Sequence, residues 1–232
     1  MSEGLTIRPI ADGSGLVDYN EGDVVRLENE ALLRSTMLLR EKLGSAAAIE
    51  LLRDEIDEGD AFWTRCVEEA AGEWKEIKGF EIEVMGFDPS SWFDWISTNL
   101  DDETMHFSVH PEHYAWTSTA KLDEDPSLGS HVIVEPMGDY MLRLYVRDHE
   151  WEGMEELYDD DFPDRRGTEL ALRNGVVVGK SVGQTKPVEG GFRFRFKVLK
   201  PATVPDRVLG SMDHGFLEYV RYMERAYAGT PR

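Results

Sequence analysis

From Phe192 to Val198 the chain reads FRFRFKV, and this alternation constrains the fold more tightly than any other stretch. Successive side chains of a strand point to opposite faces, so Phe192, Phe194 and Phe196 share one face while Arg193, Arg195 and Lys197 share the other. A strand of that kind needs a sheet with one apolar and one polar face. Further strands are predicted at Phe80 to Val84, His131 to Pro136, Tyr140 to Arg147, Gly175 to Val182 and Gly191 to Leu199.

Helical patterns flank the strands. Asp23 to Trp74 reads as two or three helices with Leu27, Leu32, Leu33, Leu39, Ile49, Leu52 and Ile56 as apolar positions and Gly44 and Gly59 as punctuation. DPSSW opens a helix from Ser90. After Pro201 and Pro205, Asp206 caps a final helix that runs to about Ala228 and carries Val208, Leu209, Met212, Phe216, Tyr219, Val220 and Met223. The expected fold is α+β: a curved antiparallel sheet wrapped round a long C-terminal helix, enclosing an apolar pocket. The change of pattern divides the chain into a mainly helical segment, 1–79, with a packing or oligomerisation role, and a pocket-bearing domain, 80–232.

The chain has 232 residues, enough to bury a core, and 46 acidic against 25 basic side chains give a net charge of -21. That charge opposes nucleic acid and anionic membrane surfaces as partners. The acidic run from Glu155 to Asp161 reads as a solvated face rather than a metal loop. Cys66 is the only cysteine, which excludes an internal disulfide and thiolate metal clusters and suits a reducing compartment. The N-terminus lacks a signal-peptide pattern, and no run approaches the ~20 apolar residues that span a bilayer. A soluble cytoplasmic protein is the expectation.

Three groups could carry chemistry: His110-Pro-Glu-His113, His131-Val-Ile-Val-Glu135 and His214-Gly-Phe-Leu-Glu218. His214 and Glu218 lie one turn apart on one helix face, and Glu135 shares a strand face with Ile133 and His131. If the helix covers that face, Glu135, His214 and Glu218 meet, and a histidine of the HPEH loop completes a nitrogen and oxygen shell suited to zinc, manganese or iron(II). Each pattern also has an ordinary explanation: a surface ion pair for His214 and Glu218, a turn residue for Glu135, and core packing for Trp92, Trp95 and Trp116.

The stretch FDPSSWFDWISTNLDDETMHFSVHPEHYAW resembles the Trp-rich helix and histidine-proline loop of the diacetylphloroglucinol and phloretin hydrolases, and HVIVEPMGDYMLRLYVRD, FRFRF and HGFLE extend the resemblance over residues 80 to 228. It implies a helix-grip fold of the Bet v 1 and START kind. It also implies a zinc site formed by His110, Glu135, His214 and Glu218, with His113 an alternative to His110 and His131 a weaker substitute. Hydrolysis of a carbon-carbon bond between a phenolic or cyclic ketone ring and an acyl group follows, with His113 and Tyr114 as catalytic candidates. One departure stands out, since the family's later-strand histidine has no counterpart between Asn174 and Phe196; His149, in an acidic loop, is the spare histidine nearest that range.

The leading expectation is therefore a metal-dependent hydrolase of an aromatic or polyketide-like small molecule, with a homodimer through the N-terminal helices suggested by the resemblance. The alternatives are a non-catalytic module binding an aromatic or lipid-like ligand, and a metal enzyme performing another reaction on a cyclic ketone.

Overall fold

A computed structural model describes residues 21–110, 112–149, 154–209 and 213–229, with side chains at 21–24, 78, 149, 213 and 214 left undescribed. The N-terminal region forms α1 (Glu21–Leu51) and α2 (Arg53–Ala70). α1 bends at Gly44, whose φ of 72° suits a residue without Cβ. Ahead of the bend Leu32, Leu38 and Leu39 are exposed; beyond it Ile49, Leu52 and Ile56 close on Ala115, Val134 and Met141.

β1 (Trp74–Met85) starts earlier than the apolar alternation suggested, because a register irregularity between Ile77 and Phe80 breaks the pattern. α3 (Pro89–Asn99) follows, its first turn capped by Asp88, whose carboxylate accepts the Ser91 amide. Then come α4 (Glu103–Val109), β2 (Ala115–Ser118), β3 (His131–Met137), β4 (Tyr140–His149), β5 (Asp164–Ala171), β6 (Val177–Val188) and β7 (Gly191–Pro201). The final helical region consists of α5 (Asp206–Leu209) and α6 (Asp213–Gly229); Met212, expected on its apolar face, lies outside the described residues. Asp206, expected as a cap, is the first residue of α5, and its carboxylate accepts from Lys75 Nζ at 2.8 Å.

All seven strands pair antiparallel in the order β1-β7-β6-β5-β4-β3-β2, with β1 and β2 at the edges and α3 and α4 linking them. The sheet packs one face against α6, and this arrangement is the α+β helix-grip fold. Phe192 and Phe194 are buried, each worth about 2 kcal/mol relative to exposure, and Phe194 and Phe196 each lie 4.8 Å, ring to ring, from Tyr219 of α6. On the reverse face Arg195 pairs with Glu81 at 2.6 Å and with Asp159, and Lys197 reaches Asp159 at 2.9 Å. The acidic run is thus more than a solvated face. Met154 and Leu157 bury beside Val182 and Leu199, and the Asp159 amide donates to Gln184 Oε1, so this segment is pinned across the basic stripe of β7.

β2 and β5 were not legible as strands. β2 has four residues, and β5 reads DRRGTELA, polar on both faces. Position supplies what pattern lacks: β5 is held between the ladders of β4 and β6, and Arg166 lies over the Phe93 ring at 4.8 Å. No described helix is long and apolar enough to cross a membrane.

Candidate metal and ligand site

Between α6, α3, α4, α2 and the inner face of the sheet lies a cavity of about 550 Å³, within the range of small-molecule pockets. Its apolar wall includes Trp63, Trp92, Trp116, Ile133, Phe194 and Phe196. Trp63 comes from α2, so the N-terminal segment contributes to the pocket as well as to packing.

The histidine loop is built by the end of α4. Asp102 caps this helix by accepting the Met105 amide, the His110 amide returns to the His106 carbonyl, and the His113 amide returns to His110. The Tyr114 amide then donates to Val134 O at 2.7 Å and starts the β2–β3 ladder. This winding stacks the His110 and His113 rings 4.1 Å apart and buries both.

Opposite them, β3 presents Glu135 and α6 presents Glu218. One potential ligand atom from each of His110, His113 and Glu218 falls within 4.8 Å of the others. Glu135 joins this group through His113, whose Nε2 stands 3.2 Å from Glu135 Oε2. Of the expected ligands, His110 and Glu218 are therefore brought together directly, and His113 stands with them rather than in place of His110. Glu135 is in contact with His113. His214 precedes Glu218 by one turn of α6, and its side chain is outside the described residues.

The electrostatics follow from burial. Burial pushes the Glu135 carboxyl up, but the His113 hydrogen bond and the nearby charges of His113, His110 and Lys200 outweigh it, leaving a carboxylate below its usual range. Burial likewise opposes charge on His113, yet Glu135 and Glu218 together raise its imidazole above the ordinary value. Glu218 is pushed up to about 7 by burial, with Glu135 adding to the effect and His113 opposing it. A carboxylate at Glu135 accepts the Nε2 proton of His113, and His113 Nδ1, itself buried, has no hydrogen-bond partner among the described residues.

A third histidine, His106, precedes His110 by four residues, a one-turn spacing that the motifs did not single out. It stacks on Trp116 at 3.6 Å, and burial pushes it down to about 3, so it is neutral. Leu100 O can only accept, so His106 carries its proton on Nε2 and takes the Tyr222 hydroxyl proton at Nδ1. Tyr222 also hydrogen-bonds Glu218, a contact that favours the carboxylate and so opposes the rise that burial imposes on that carboxyl. Tyr222 was legible in principle, being four residues beyond Glu218. Lys200 also lines the cavity, and extending the Phe192-Phe194-Phe196 face by two more alternations reaches it.

Three expected positions lie elsewhere. Tyr114 is 37% exposed with the Arg40 guanidinium 5.2 Å from its ring centroid, and it does not line the cavity; the chain turns at the start of β2 so that His113 and Trp116 face inward instead. His131 lines the cavity but is tied to Ser130 Oγ at 3.0 Å and Asp101 at 3.3 Å, outside the ligand cluster. His149, expected in a loop, ends β4 opposite Gly167, and its side chain is not described.

No family model matches the chain, and no curated protein matches it. Among solved structures it is similar to a crystal structure of Ara h 8.0201, with 10% sequence identity over 68% of this chain and 100% of that one, at a TM-score of 0.44. Strand order and register, not this likeness, define the fold. The hydrolase resemblance remains one of short motifs.

Proposed function

We propose that the cavity binds a small, ring-bearing molecule with oxygen functions, and that His110, His113 and Glu218, with His214 one turn before Glu218, hold a divalent cation beside it. The observation that carries the ligand reading is a set of orphaned polar atoms. Trp63 Nε1, Trp92 Nε1 and His113 Nδ1 are buried at an otherwise largely aromatic wall and lack a hydrogen-bond partner among the described residues. Leaving such groups unpaired costs about 1–3 kcal/mol each, which a ligand oxygen or a cation offsets.

The same observation tests the fit of a metal. Two imidazoles and a carboxylate suit zinc, and manganese or iron(II) accept similar donors. Glu135 supplies the carboxylate brace that ligating histidines commonly have. His110 Nδ1 accepts the Glu112 amide at 3.2 Å, so its use as a ligand requires a cation to displace that amide or the ring to turn over.

A bound cation would act as a Lewis acid on a ligand oxygen. The chain's own groups do the rest: the indole donors orient oxygens and the aromatic walls exclude water, while the proton that Glu218 holds in the cation-free pocket, where burial raises it to about 7, would leave when a cation binds. A second reading, the hydrolysis of a ring-acyl carbon-carbon bond, is favoured by this proton-bearing carboxyl beside paired imidazoles. In that reading His113 and Glu218 serve the proton transfers in the cation-free pocket.

Elemental analysis of the untagged protein tests the cation, after reconstitution with zinc and manganese. Near-stoichiometric metal that is lost in a folded His110→Ala, Glu218→Ala variant is expected; a metal-free protein after reconstitution would leave a purely ligand-binding pocket. Product analysis with acylated phenols then separates hydrolysis from binding.

A further inference from the structure

Lys200, with Lys180 and Arg166, is one of three basic side chains that the later strands bring to the cavity. It is 6% exposed, lines the cavity from β7 and is no part of the histidine and carboxylate cluster. Its amine rests 3.4 Å from Met137 Sδ and 5.4 Å from the centroid of the Trp63 ring. A Cβ on Gly179 would stand 2.8 Å from Nζ, so a glycine opposite leaves the amine its room. A thioether is a weak acceptor and an indole face a modest one, and among the described residues no carboxylate reaches Nζ within ion-pair distance. Burying an ammonium so poorly compensated is costly, and the orphaned Trp63 Nε1–H belongs to a residue lining the same cavity.

We propose that Lys200 forms a reversible imine with an aldehyde or ketone carbonyl of the cavity's ligand, with Trp63 Nε1 donating to an oxygen that the ligand retains. This deepens the pocket reading and rests on it, but it is independent of the cation. The Nζ lone pair attacks the carbonyl carbon, the carbonyl π pair moves to oxygen, and one proton passes from nitrogen to that oxygen. The resulting carbinolamine loses water as nitrogen forms the C=N bond and gives up its second proton to the departing hydroxyl. No oxidant or reductant is needed. Attack requires the free amine, and burial, partly opposed by Glu135, brings Lys200 down to about 8, so a useful fraction is neutral near physiological pH.

The test uses 1-naphthaldehyde with sodium cyanoborohydride on the full-length protein near neutrality, followed by peptide mapping. Reduction converts an imine into a stable secondary amine one naphthylmethyl group heavier. Lys200 is expected to label about tenfold faster than the exposed Lys42 and Lys121, and the preference should vanish in denaturant. Binding of 1-naphthalenemethanol, which cannot form an imine, is followed in parallel by calorimetry. Alcohol binding without preferential Lys200 labelling would overturn the imine and leave the pocket; failure of both would remove the pocket as well. Lys200→Met, checked for folding, should lose the adduct while still binding the alcohol. Mapping of the unmodified chain decides the matter even if that variant does not fold.

Discussion

His113 Nε2 and Glu135 Oε2 stand 3.2 Å apart, joining the loop after α4 to β3 and engaging one ring nitrogen of His113. Glu135→Gln keeps the shape but weakens the acceptor. Metal affinity, measured by chelator competition, should fall about 10- to 100-fold, as for other partners behind a ligating histidine. Unchanged affinity would mean that His113 is not held through Glu135.

α2 crosses β4 at Gly59, where a Cβ would lie 2.0 Å from Met141 O. Gly59→Ala, otherwise favourable within a helix, should therefore cost about 1–3 kcal/mol by forcing helix and strand apart. The readout is the urea midpoint. A stabilised variant would show that α2 does not seat this closely.

Arg143 Nη2 and Glu124 Oε2 pair at 2.6 Å with side chains 9% and 13% exposed, and Tyr145 Oη donates to Glu124 at 2.7 Å. Glu124→Ala strands a buried guanidinium and should cost about 3–5 kcal/mol. Arg173 stands 3.8 Å from the same carboxylate but is 67% exposed, and its alanine variant should cost less than about 1 kcal/mol. Equal losses in denaturant unfolding would contradict the distinction drawn from burial.

Asp60 is raised to about 6 by burial, with Asp57 adding and Arg143 opposing. The folded chain therefore keeps a proton that the unfolded chain has already lost. Stability contributed by this group is fully present below the unfolded value of 3.8 and is lost as pH rises to about 6. Asp60→Asn mimics the protonated form, so its melting temperature should exceed that of the parent at pH ~7.5 and match it at pH ~3.5. A constant difference between the two pH values would refute this.

The sheet's two-sided character was readable in FRFRFKV because period-two alternation is a local property: each side chain's face follows from its neighbours. The same holds for Asp88 as a helix cap and for the one-turn spacing of His214 and Glu218. β2 and β5 were not readable, since they become strands through ladders offered by distant segments. Tyr114 misled for a related reason, because the face it presents depends on how the loop enters β2.

By itself the sequence determined the alternating strands, the helical flanks and the residue types able to hold a cation or carry a proton. Tertiary structure alone decided which of them meet. It set His113 in contact with Glu135 and close to the His110 and Glu218 donors, left Tyr114 outside the cavity lining, and brought in His106, Tyr222 and Lys200. The physical reason is that ligation and pKa depend on distances and desolvation between residues far apart in the chain, and only strand register and helix docking set those.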